Sequence, residues 1–303
     1  MLLDITVIIL TYNEEAHIRR CIENARSFAK QIFIVDCYST DRTVKIAKEL
    51  GAEVHQNKWE NNYAKQFNWA LDNLPIQTEW IMRLDADEYL IDELITELQA
   101  KLPVLDMGIT GIVLPLKRVF MNRHMKRGVG KIFLLRIFKY GVGRCELRWM
   151  DEHISLNQGR QVIFEHEFAD HNLNHLGWWT SKHNGYSIRE AIDLLDAELG
   201  LLSTGDTEQT VMGEQALAKR KKKLKYAKAP LFWRSLAYFL YRYFLKFGFL
   251  DGKEGFLWHF LQGWWYRTLV DAKIYEIKKA CGTDKGKIID YIKQHYGIDC
   301  RKV

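Results

Sequence analysis

The chain has 303 residues, a formal net charge of +6 and five cysteines, none of them in a C-x-x-C pair. This length can bury a sizeable core, and the scattered, odd-numbered cysteines indicate reduced thiols, which excludes a disulfide-stapled secreted domain and a structural zinc site. Residues 201–303 hold 20 basic and 10 acidic side chains, whereas residues 1–200 hold 24 and 28. The basic final third predicts an anionic partner, either nucleic acid or a membrane surface.

Strand and helix patterns alternate through the first hundred residues. The first ten residues have no basic n-region and contain Asp4, so they are predicted to form a core strand and not a signal peptide. Apolar runs lie at 5–10, 32–36, 52–56 and 80–85, and helical patterns lie near 14–29, 40–50, 61–73 and 90–101. This alternation predicts a largely parallel sheet with helices on both faces, whose ligands bind beyond the carboxyl ends of the strands.

Polar clusters follow three of the apolar runs, at residues 11–15 (TYNEE), 36–41 (DCYSTD) and 85–88 (DADE). Helix capping explains the first two clusters taken singly, because Asn13 and Ser39 are good N-cap residues. Their joint occurrence at corresponding strand ends favours a functional edge of the sheet. Beyond residue 105, patterns at 108–121, 131–140 and 160–168 predict longer strands, and a helix is predicted from Trp178 to about Leu199.

Asp85 and Asp87 form a D-x-D pair after the fourth strand pattern. Side chains two apart in extended backbone point to the same side, so both could reach one cation. Carboxylate and phosphate oxygens suit Mg²⁺ or Mn²⁺, which keep water and substrate phosphate among their ligands. The alternative is an acidic turn before the next helix, and Glu88 is predicted to cap that helix.

Four segments carry a family resemblance: VIILTYNEE, IVDCYSTDRTVKIAKELGAEV, NYAKQFNWAL and EWIMRLDADEYL. In this order and spacing they resemble the nucleotide-sugar half of the family 2 inverting glycosyltransferases. The resemblance covers residues 4 to about 100, continues more weakly to about 190, and is greatest to bacterial lipopolysaccharide-core and capsule β-glycosyltransferases. It implies a GT-A type α/β domain with a mixed, mostly parallel central sheet. Cys37 and Tyr38 depart from the family motif, which usually reads D-D-G-S or D-S-G-S.

The resemblance also implies roles for individual residues. Tyr12 lies in the loop that contacts the nucleoside, Asp36 matches the carboxylate that reads a uracil edge, and Asp87 matches the ligand of Mg²⁺ or Mn²⁺, with Asp85 nearer the ribose. The residues implied to bind a nucleotide-sugar, expected to be UDP-linked, are Thr11, Tyr12, Glu14, Asp36, Lys65, Asn68 and Asp85.

An inverting transferase needs a general base that takes the proton of the acceptor hydroxyl. The stretch RWMDEHI, at 148–154, carries acids where the resemblance implies this base. Glu152 is favoured because related sequences have His-Glu there, and Asp151 is the second candidate. A polar turn without a catalytic role is the alternative.

Family members often place a histidine on the metal in the region that here holds His166, His171, His175 and His183. His175, which precedes Leu176-Gly177, is chosen over His171, and a structural hydrogen-bonded histidine is the alternative at each position. Zinc is not expected, because no thiolate pair accompanies these residues. Arg136 is a candidate for binding phosphate, with a solvated strand residue as the alternative.

The segment from 219 to 250 is basic and aromatic. Read as a helix over 231–250, it places Arg234, Tyr238, Arg242 and Lys246 in one basic stripe on an apolar body. These charges disfavour a membrane span, and the preceding polybasic run favours an in-plane helix on an anionic membrane. Packing on the catalytic domain or a partner subunit is the alternative. Nucleic-acid binding is not expected, because no recognised module is present.

Together these patterns predict a GT-A catalytic domain at 1–200, divided into a nucleotide-sugar half (1–105) and an acceptor half (106–200), and a helical membrane-association region at 201–303. The predicted reaction is metal-dependent, inverting sugar transfer to a hydroxyl of a lipid-linked glycan, for surface polysaccharide synthesis on the inner face of the cell membrane. The alternatives are a polyprenyl-phosphate glycosyltransferase, a nucleotidyltransferase and an inactive nucleotide-binding membrane scaffold. Donor sugar, linkage and oligomeric state are left open.

Overall fold

The computed structural model describes residues 2–60, 62–147, 152–202, 226 and 228–300. These residues form two compact units. The first comprises the chain up to His124 together with Lys131–Leu173, and the second comprises Met125–Gly130 and the described residues from Asn174 onward.

Strands and helices alternate through the first part of the first unit, as predicted. They are β1 Leu3–Thr11, α1 Ile18–Arg26, β2 Ala29–Asp36, α2 Thr43–Glu49, β3 Glu53–Gln56, α3 Tyr63–Asn73, β4 Trp80–Asp85, β5 Glu88–Leu90 and α4 Asp92–Lys101. The later strands are β6 Ile109–Phe120, β7 Arg123–His124, β8 Phe133–Lys139, β9 Gly143–Cys145, β10 Ile154–Leu156, β11 Arg160–Ile163 and β12 Phe168–His171.

The main sheet has the strand order β3-β2-β1-β4-β8-β6-β12-β5. Strands β1 to β4 pair in parallel, β8 runs antiparallel between β4 and β6, and β12 pairs in parallel with β6 and antiparallel with β5. This mixed, mostly parallel sheet with flanking helices confirms the predicted GT-A type fold class.

Strand β1 shows why the central apolar runs are continuous. Ile5, Val7 and Ile9 belong to the cluster that includes buried residues of α1, whereas Ile8 and Leu10 belong to the cluster that includes buried residues of α3. Both faces of the strand are therefore covered, as is typical of parallel sheets with helices on both sides.

The single strand predicted at 160–168 is two strands. Residues between β11 and β12 leave the sheet because the backbone N–H groups of Glu165 and His166 donate to the buried carboxylate of Glu97 on α4. Strand β5 was also not predicted: residues 88–90 pair with β12 before α4 begins.

The second unit is helical among its described residues. Its elements are α5 Leu176–Leu199, α6 Trp233–Leu240, a π-helical turn Tyr241–Leu245, a 3₁₀ turn Gly248–Asp251, α7 Gly252–Trp258, a second π-helical segment His259–Trp265, α8 Tyr266–Cys281 and α9 Lys285–Tyr296. Helix α5 lies in this unit, and the functional boundary predicted at residue 200 stays a prediction. Within the described ranges, every helix is too short or too polar to cross a bilayer.

The predicted basic stripe is wrong. Helix α6 ends at Leu240, and both arginines of the stripe point inward. Arg234 donates to Asp271 at 2.8 Å, and Arg242 donates to the carbonyl of Gly128 at 3.2 Å. A carboxylate and a carbonyl inside the bundle satisfy these guanidinium groups, which leaves Lys246 as the exposed cation of the stripe.

Candidate active site

Parallel strands bring the predicted polar clusters to one edge of the sheet. Thr11 of β1 lies in register with Asp36 of β2, and Leu10 lies in register with Asp85 of β4. The loops after β1, β2 and β4 therefore meet at the carboxyl edge, where ligands of such sheets bind.

Asp36 organises the first two loops. Its carboxylate accepts hydrogen bonds from Thr11 Oγ1 at 2.9 Å and from the backbone N–H of Ser39 at 2.8 Å, as well as from Ser39 Oγ. The residue has no exposed surface. Direct reading of a uracil edge by Asp36 therefore requires the loop to open, and this role stays a prediction.

Tyr12 and Tyr38 are the exposed aromatic side chains of these loops, at 59% and 55%. Tyr38 has a φ of +59°, in the left-handed region that favours glycine. The turn thus keeps the conformation suited to the glycine of the usual D-D-G-S motif. Cross-loop hydrogen bonds hold it, from Asn13 N to Ser39 Oγ and from Thr40 N to Asn13 Oδ1, both at 2.8 Å.

Glu14 ties the β1 loop to the chain after β12. Its carboxylate lies 2.6 Å from Nδ1 of the fully buried His17, and His17 Nε2 accepts the backbone N–H of Leu173 at 2.8 Å. This acceptance places the ring proton on Nδ1, which donates to Glu14. The predicted contact of Glu14 with a nucleoside stays a prediction.

Asp85 lies among donors at the end of β4. The Tyr63 hydroxyl donates to its Oδ1, Arg83 Nε lies 3.7 Å from the same oxygen, and Arg136 Nη2 lies 3.6 Å from Oδ2. Burial raises the pKa of Tyr63, as does the adjacent Asp85 carboxylate, so the phenol stays a proton donor. The positive charges of Arg83 and Arg136 thus compensate much of the negative charge of the Asp85 carboxylate.

Glu88 does not cap α4, contrary to the sequence-based expectation. It is buried in β5, where one carboxylate oxygen accepts from Arg136 and the other accepts the backbone N–H of Asp85 at 2.9 Å. Burial raises the pKa of Glu88, and the positive charge of Arg136 opposes that rise. Arg136 is likewise neither solvated nor free for phosphate, because its side chain is buried in this ion pair.

Asp87 is held by the segment after β12. Its Oδ2 accepts from Asn172 Nδ2 at 3.0 Å, and its carbonyl accepts from the backbone N–H of His171 and from Arg20 Nη2, both at 3.0 Å. Arg20 also donates to the carbonyl of His171 at 2.6 Å. His171, which was set aside in favour of His175, thus contacts Asp87 through its backbone, whereas its ring nitrogens lie 3.1 Å from Arg20 Nη1 and 2.9 Å from Asn122 Oδ1.

Asp170 adds another carboxylate that sequence patterns did not reveal. It lies opposite Glu88 across the β12–β5 ladder, and Arg118 Nε is 3.8 Å from its Oδ2. Burial, together with the charge of Asp87, raises the pKa of Asp170 to about 6. The edge therefore concentrates acidic side chains, with arginines placed beside them.

Lys65 and Asn68 lie on α3 in different settings. Lys65 is exposed in the first turn, with Nζ 3.3 Å from Glu60 Oε2, and can turn toward an anion. Asn68 is buried, and its amide both donates to and accepts from the backbone of Cys145 at 2.8 and 2.9 Å. In the structure Asn68 anchors β9, so its predicted donor contact requires these bonds to break.

Glu152, the favoured base, lies 3.8 Å from Arg83 Nη2 and is half-buried. Arg83 is buried in the middle of β4, 3.7 Å from Asp85, and stacks over Tyr63 with its Cζ 4.3 Å from the ring centroid. One guanidinium thus stands between the candidate base and the candidate metal motif. The second candidate, Asp151, lies outside the described residues.

His175 is the N-cap of α5, where its Nδ1 accepts the backbone N–H of Trp178 at 3.2 Å. It belongs to the second unit. This contact matches the structural alternative, and a role on the metal stays a prediction.

A divalent ion fits the donor chemistry of this edge only in part. Asp85 and Asp87 offer half-buried carboxylates, but among the residues that the structure describes no three His, Cys, Asp or Glu side chains group closely enough to hold a metal. Mg²⁺ and Mn²⁺ commonly take one or two carboxylates and fill the remaining positions with water and substrate phosphate. The residues therefore suit an ion that arrives with a diphosphate.

Sequence patterns missed much of the supporting charge. Arg83 and Arg136 carried a usable signal, because a charged residue inside an apolar strand run must find a buried partner. Arg20, Tyr63 and Asp170 carried none, since their roles depend on strand pairing across distant parts of the chain.

Comparison with known proteins finds similarity over part of the chain. Residues 6–139 match the family described as Glycosyl transferase family 2. An uncharacterized glycosyltransferase of Rickettsia bellii (strain RML369-C) is 39% identical over 95 residues, which are 31% of this chain and 31% of that protein. Glycosyltransferase SunS of Bacillus phage SPbeta is 34% identical over 85 residues, 27% of this chain and 20% of that protein. The chain thus matches about a third, or less, of the length of these relatives.

Among solved structures, glucosyl-3-phosphoglycerate synthase from Mycobacterium tuberculosis, in complex with Mn²⁺, UDP and glucosyl-3-phosphoglycerate, is 20% identical. The alignment covers 38% of this chain and 43% of that chain, with a TM-score of 0.31. Residues 6–139, somewhat less than half of the chain, are thus similar to Glycosyl transferase family 2.

Proposed function

We propose, from the family 2 match of residues 6–139, that the chain is a metal-dependent inverting glycosyltransferase that moves a sugar from a nucleotide-sugar to an acceptor hydroxyl. The observation that carries this proposal is the carboxyl edge, where Asp85 and Glu152 lie 3.7 and 3.8 Å from Arg83. Inversion requires a base for the acceptor hydroxyl, and the acidic motif offers ligands for a metal that binds the donor diphosphate.

In the proposed reaction Glu152 takes the proton of the acceptor hydroxyl while the hydroxyl oxygen attacks the anomeric carbon of the donor sugar. The bond from that carbon to the diphosphate oxygen breaks, and the nucleoside diphosphate leaves with the bonding electrons. Asp87 and Asp85 would hold a Mg²⁺ or Mn²⁺ ion, which would stabilise the negative charge on the leaving diphosphate. Arg83, 3.8 Å from Glu152, would help to hold this carboxylate in place.

The proposed donor is a UDP-sugar. The family resemblance assigns the loops of Tyr12 and Asp36 to the nucleoside, and Tyr12 offers an exposed aromatic face for a base. The exposed Lys65 can contact phosphate. Lysine donates to phosphate as a compact positive charge.

The proposed acceptor is a lipid-linked glycan, reached at the inner face of the cell membrane during bacterial surface polysaccharide or lipopolysaccharide synthesis. The basic, aromatic composition of residues 219–275 supports a peripheral position on an anionic membrane.

Two substitutions test the reaction. A panel of nucleotide-sugars is incubated with Mg²⁺ or Mn²⁺, and release of nucleoside diphosphate is measured. We expect Glu152→Gln to lower kcat by roughly 10²–10⁴-fold with donor binding retained, because only proton transfer is removed. Asp87→Asn is expected to weaken metal-dependent donor binding, and the exposed Glu49→Gln serves as a matched control.

The outcomes separate the alternatives. Release of pyrophosphate in place of a nucleoside diphosphate would identify a nucleotidyltransferase, and product formed only on a polyprenyl phosphate would identify that class of glycosyltransferase. If neither Asp87→Asn nor Glu152→Gln changes function while deletion of 219–275 abolishes it, the chain is a membrane scaffold.

A further inference from the structure

The second unit carries a large exposed apolar surface between residues 232 and 256. Ten large apolar side chains in this stretch are each at least 41% exposed. They are Phe232, Trp233, Leu240, Tyr241, Phe244, Leu245, Phe247, Phe249, Leu250 and Phe256. We call this set the apolar surface.

Ring contacts through the neighbouring Tyr243 connect four of the ten side chains of the apolar surface. The Tyr243 ring lies 5.1 Å from Phe244, 6.2 Å from Phe249 and 5.7 Å from Phe256, centroid to centroid. Phe249 in turn lies 6.2 Å from Phe247. Single exposed apolar residues are common, but a connected patch marks an interaction site.

In this segment charged side chains are buried and large apolar side chains are exposed, whereas a helix that faces water shows the opposite distribution. Arg234 and Arg242 are only 6% and 3% exposed, whereas Trp233 and Leu245 are 72% and 70% exposed. In water the arrangement should be the reverse. The exposed side chains of this segment are therefore suited to contact with an apolar partner.

The backbone supports this outward orientation. Phe232 and Phe247 have φ values of +66° and +57°, and a left-handed conformation is costly for a bulky side chain. Within the fold, the Phe232 N–H donates to Asp271 Oδ2 at 2.7 Å, and the Phe232 and Phe247 rings lie 6.1 and 6.2 Å from those of Tyr275 and Phe249. Both side chains nevertheless stay exposed, so an external contact would add to these interactions.

Charge identifies the neighbour as an anionic bilayer. Residues 215–250 contain ten Lys or Arg and no Asp or Glu, and seven of the basic residues lie in 219–228, immediately before the apolar surface. Lys246 is exposed within it, with Nζ 5.6 Å from the centre of the Tyr241 ring. Aromatic rings and basic side chains together match the headgroup region of an anionic membrane.

We infer that the apolar surface inserts into the boundary between headgroups and acyl chains of an anionic bilayer. Apolar burial provides the anchoring, and the basic residues add attraction to lipid phosphates. The inference deepens the membrane part of the proposed function, and it differs from a basic stripe lying on the lipid because it predicts binding that survives high salt.

Vesicle flotation of the full chain tests the inference. Vesicles of phosphatidylcholine with phosphatidylglycerol are compared with phosphatidylcholine alone, at low salt and at about 0.5 M NaCl, where charge attraction between exposed groups is largely screened. We expect Trp233→Ser and Leu245→Ser each to weaken partitioning by roughly tenfold or more at both salt concentrations, because each removes buried apolar area. Met107→Ser is the control, since Met107 is 88% exposed in the first unit.

The remaining outcomes overturn the inference. If both variants float with the vesicles as well as the wild type does, the apolar surface does not insert. If about 0.5 M NaCl releases the wild type completely from the vesicles, the attraction is electrostatic alone and insertion is likewise excluded. Light scattering without vesicles tests whether the apolar surface instead binds a second copy of the chain. That alternative holds if the wild type is a dimer, Leu245→Ser dissociates the dimer, and the wild type does not float with vesicles. Nucleoside diphosphate release with a soluble acceptor is scored separately, so loss of flotation and loss of transfer are distinguishable.

Discussion

Arg83 is the residue that connects the parts of the candidate site. A buried cation in a central strand is costly unless it is paired, and Arg83 has Asp85 and Glu152 within 3.8 Å and Tyr63 beneath its guanidinium. The acidic environment raises the pKa of Arg83, against the effect of burial. The charge is therefore permanent, and it fixes the electrostatics around both carboxylates.

Tyr38 is predicted to be a strained residue whose replacement by glycine is tolerated. Its left-handed backbone costs a bulky residue about 1 kcal/mol or more, and its exposed ring contributes little packing. After the entropic cost of glycine, Tyr38→Gly should raise the free energy of unfolding by roughly 0.5 kcal/mol. Urea denaturation measures it. Tyr12 is similarly exposed but does not have a positive φ, so Tyr12→Gly should instead lower the free energy of unfolding.

Glu97 is predicted to make the first unit acid-sensitive. Burial alone would raise the pKa of its carboxyl, but hydrogen bonds from Lys101, from the backbone of Glu165 and His166, and from the His166 ring lower it to about 2. Because the folded pKa is below the unfolded value of 4.5, the stabilisation is complete above pH 4.5 and is lost as the pH falls toward 2.

The expected loss is roughly 2–3 kcal/mol of unfolding free energy between pH 5 and pH 2. Chemical denaturation as a function of pH measures it. Glu97→Gln should flatten this part of the profile, while Glu93→Gln, exposed on the same helix, should leave it unchanged. A wild-type slope in Glu97→Gln would refute the assignment.

At the scale of elements, Gly128 allows the loop Met125–Gly130 to pack closely against other residues of the second unit. Its φ is +71°, its N–H donates to the carbonyl of Lys246 at 3.0 Å, and a Cβ there would lie 2.2 Å from Cε1 of the buried His259 and 2.8 Å from the carbonyl of Arg242. Backbone and ring both oppose any side chain at this position.

Gly128→Ala should therefore lower the free energy of unfolding by about 2 kcal/mol or more. Thermal and urea unfolding both report it. Gly130→Ala is the matched control, because a Cβ at Gly130 meets nothing within 4 Å. Equal stability of the two variants would show that the loop is not packed as described.

The elements differ in how well the sequence predicted them. Strands β1, β2 and β4 were predicted because helices cover both faces of the sheet, so that these strands contain long, mostly apolar runs. The helix at 231–250 failed because periodicity records which residues share a face but not which face is buried. Arg234 and Arg242 do share a face, and Asp271 and the Gly128 carbonyl, far away in the sequence, turn it inward.

For the whole molecule, the fold class followed from the sequence, whereas the candidate site followed only in part. The acids at strand ends are local features and were found. Arg136 on β8, Arg20 on α1 and strand β12, which completes the edge, come from distant parts of the chain. No local pattern links Arg20 or Asp170 to Asp87. Long-range pairing of this kind decides the electrostatics of the edge.

The pairing of β12 between β6 and β5 limits how the chain can be shortened. A fragment ending at residue 139, where the family match stops, lacks β12 and so exposes two unpaired strand edges. Such edges promote aggregation. We expect expression of residues 1–139 to give inclusion bodies, and residues 1–173 to give more soluble protein. Equal solubility of both, measured after centrifugation, would show that β12 is dispensable for folding.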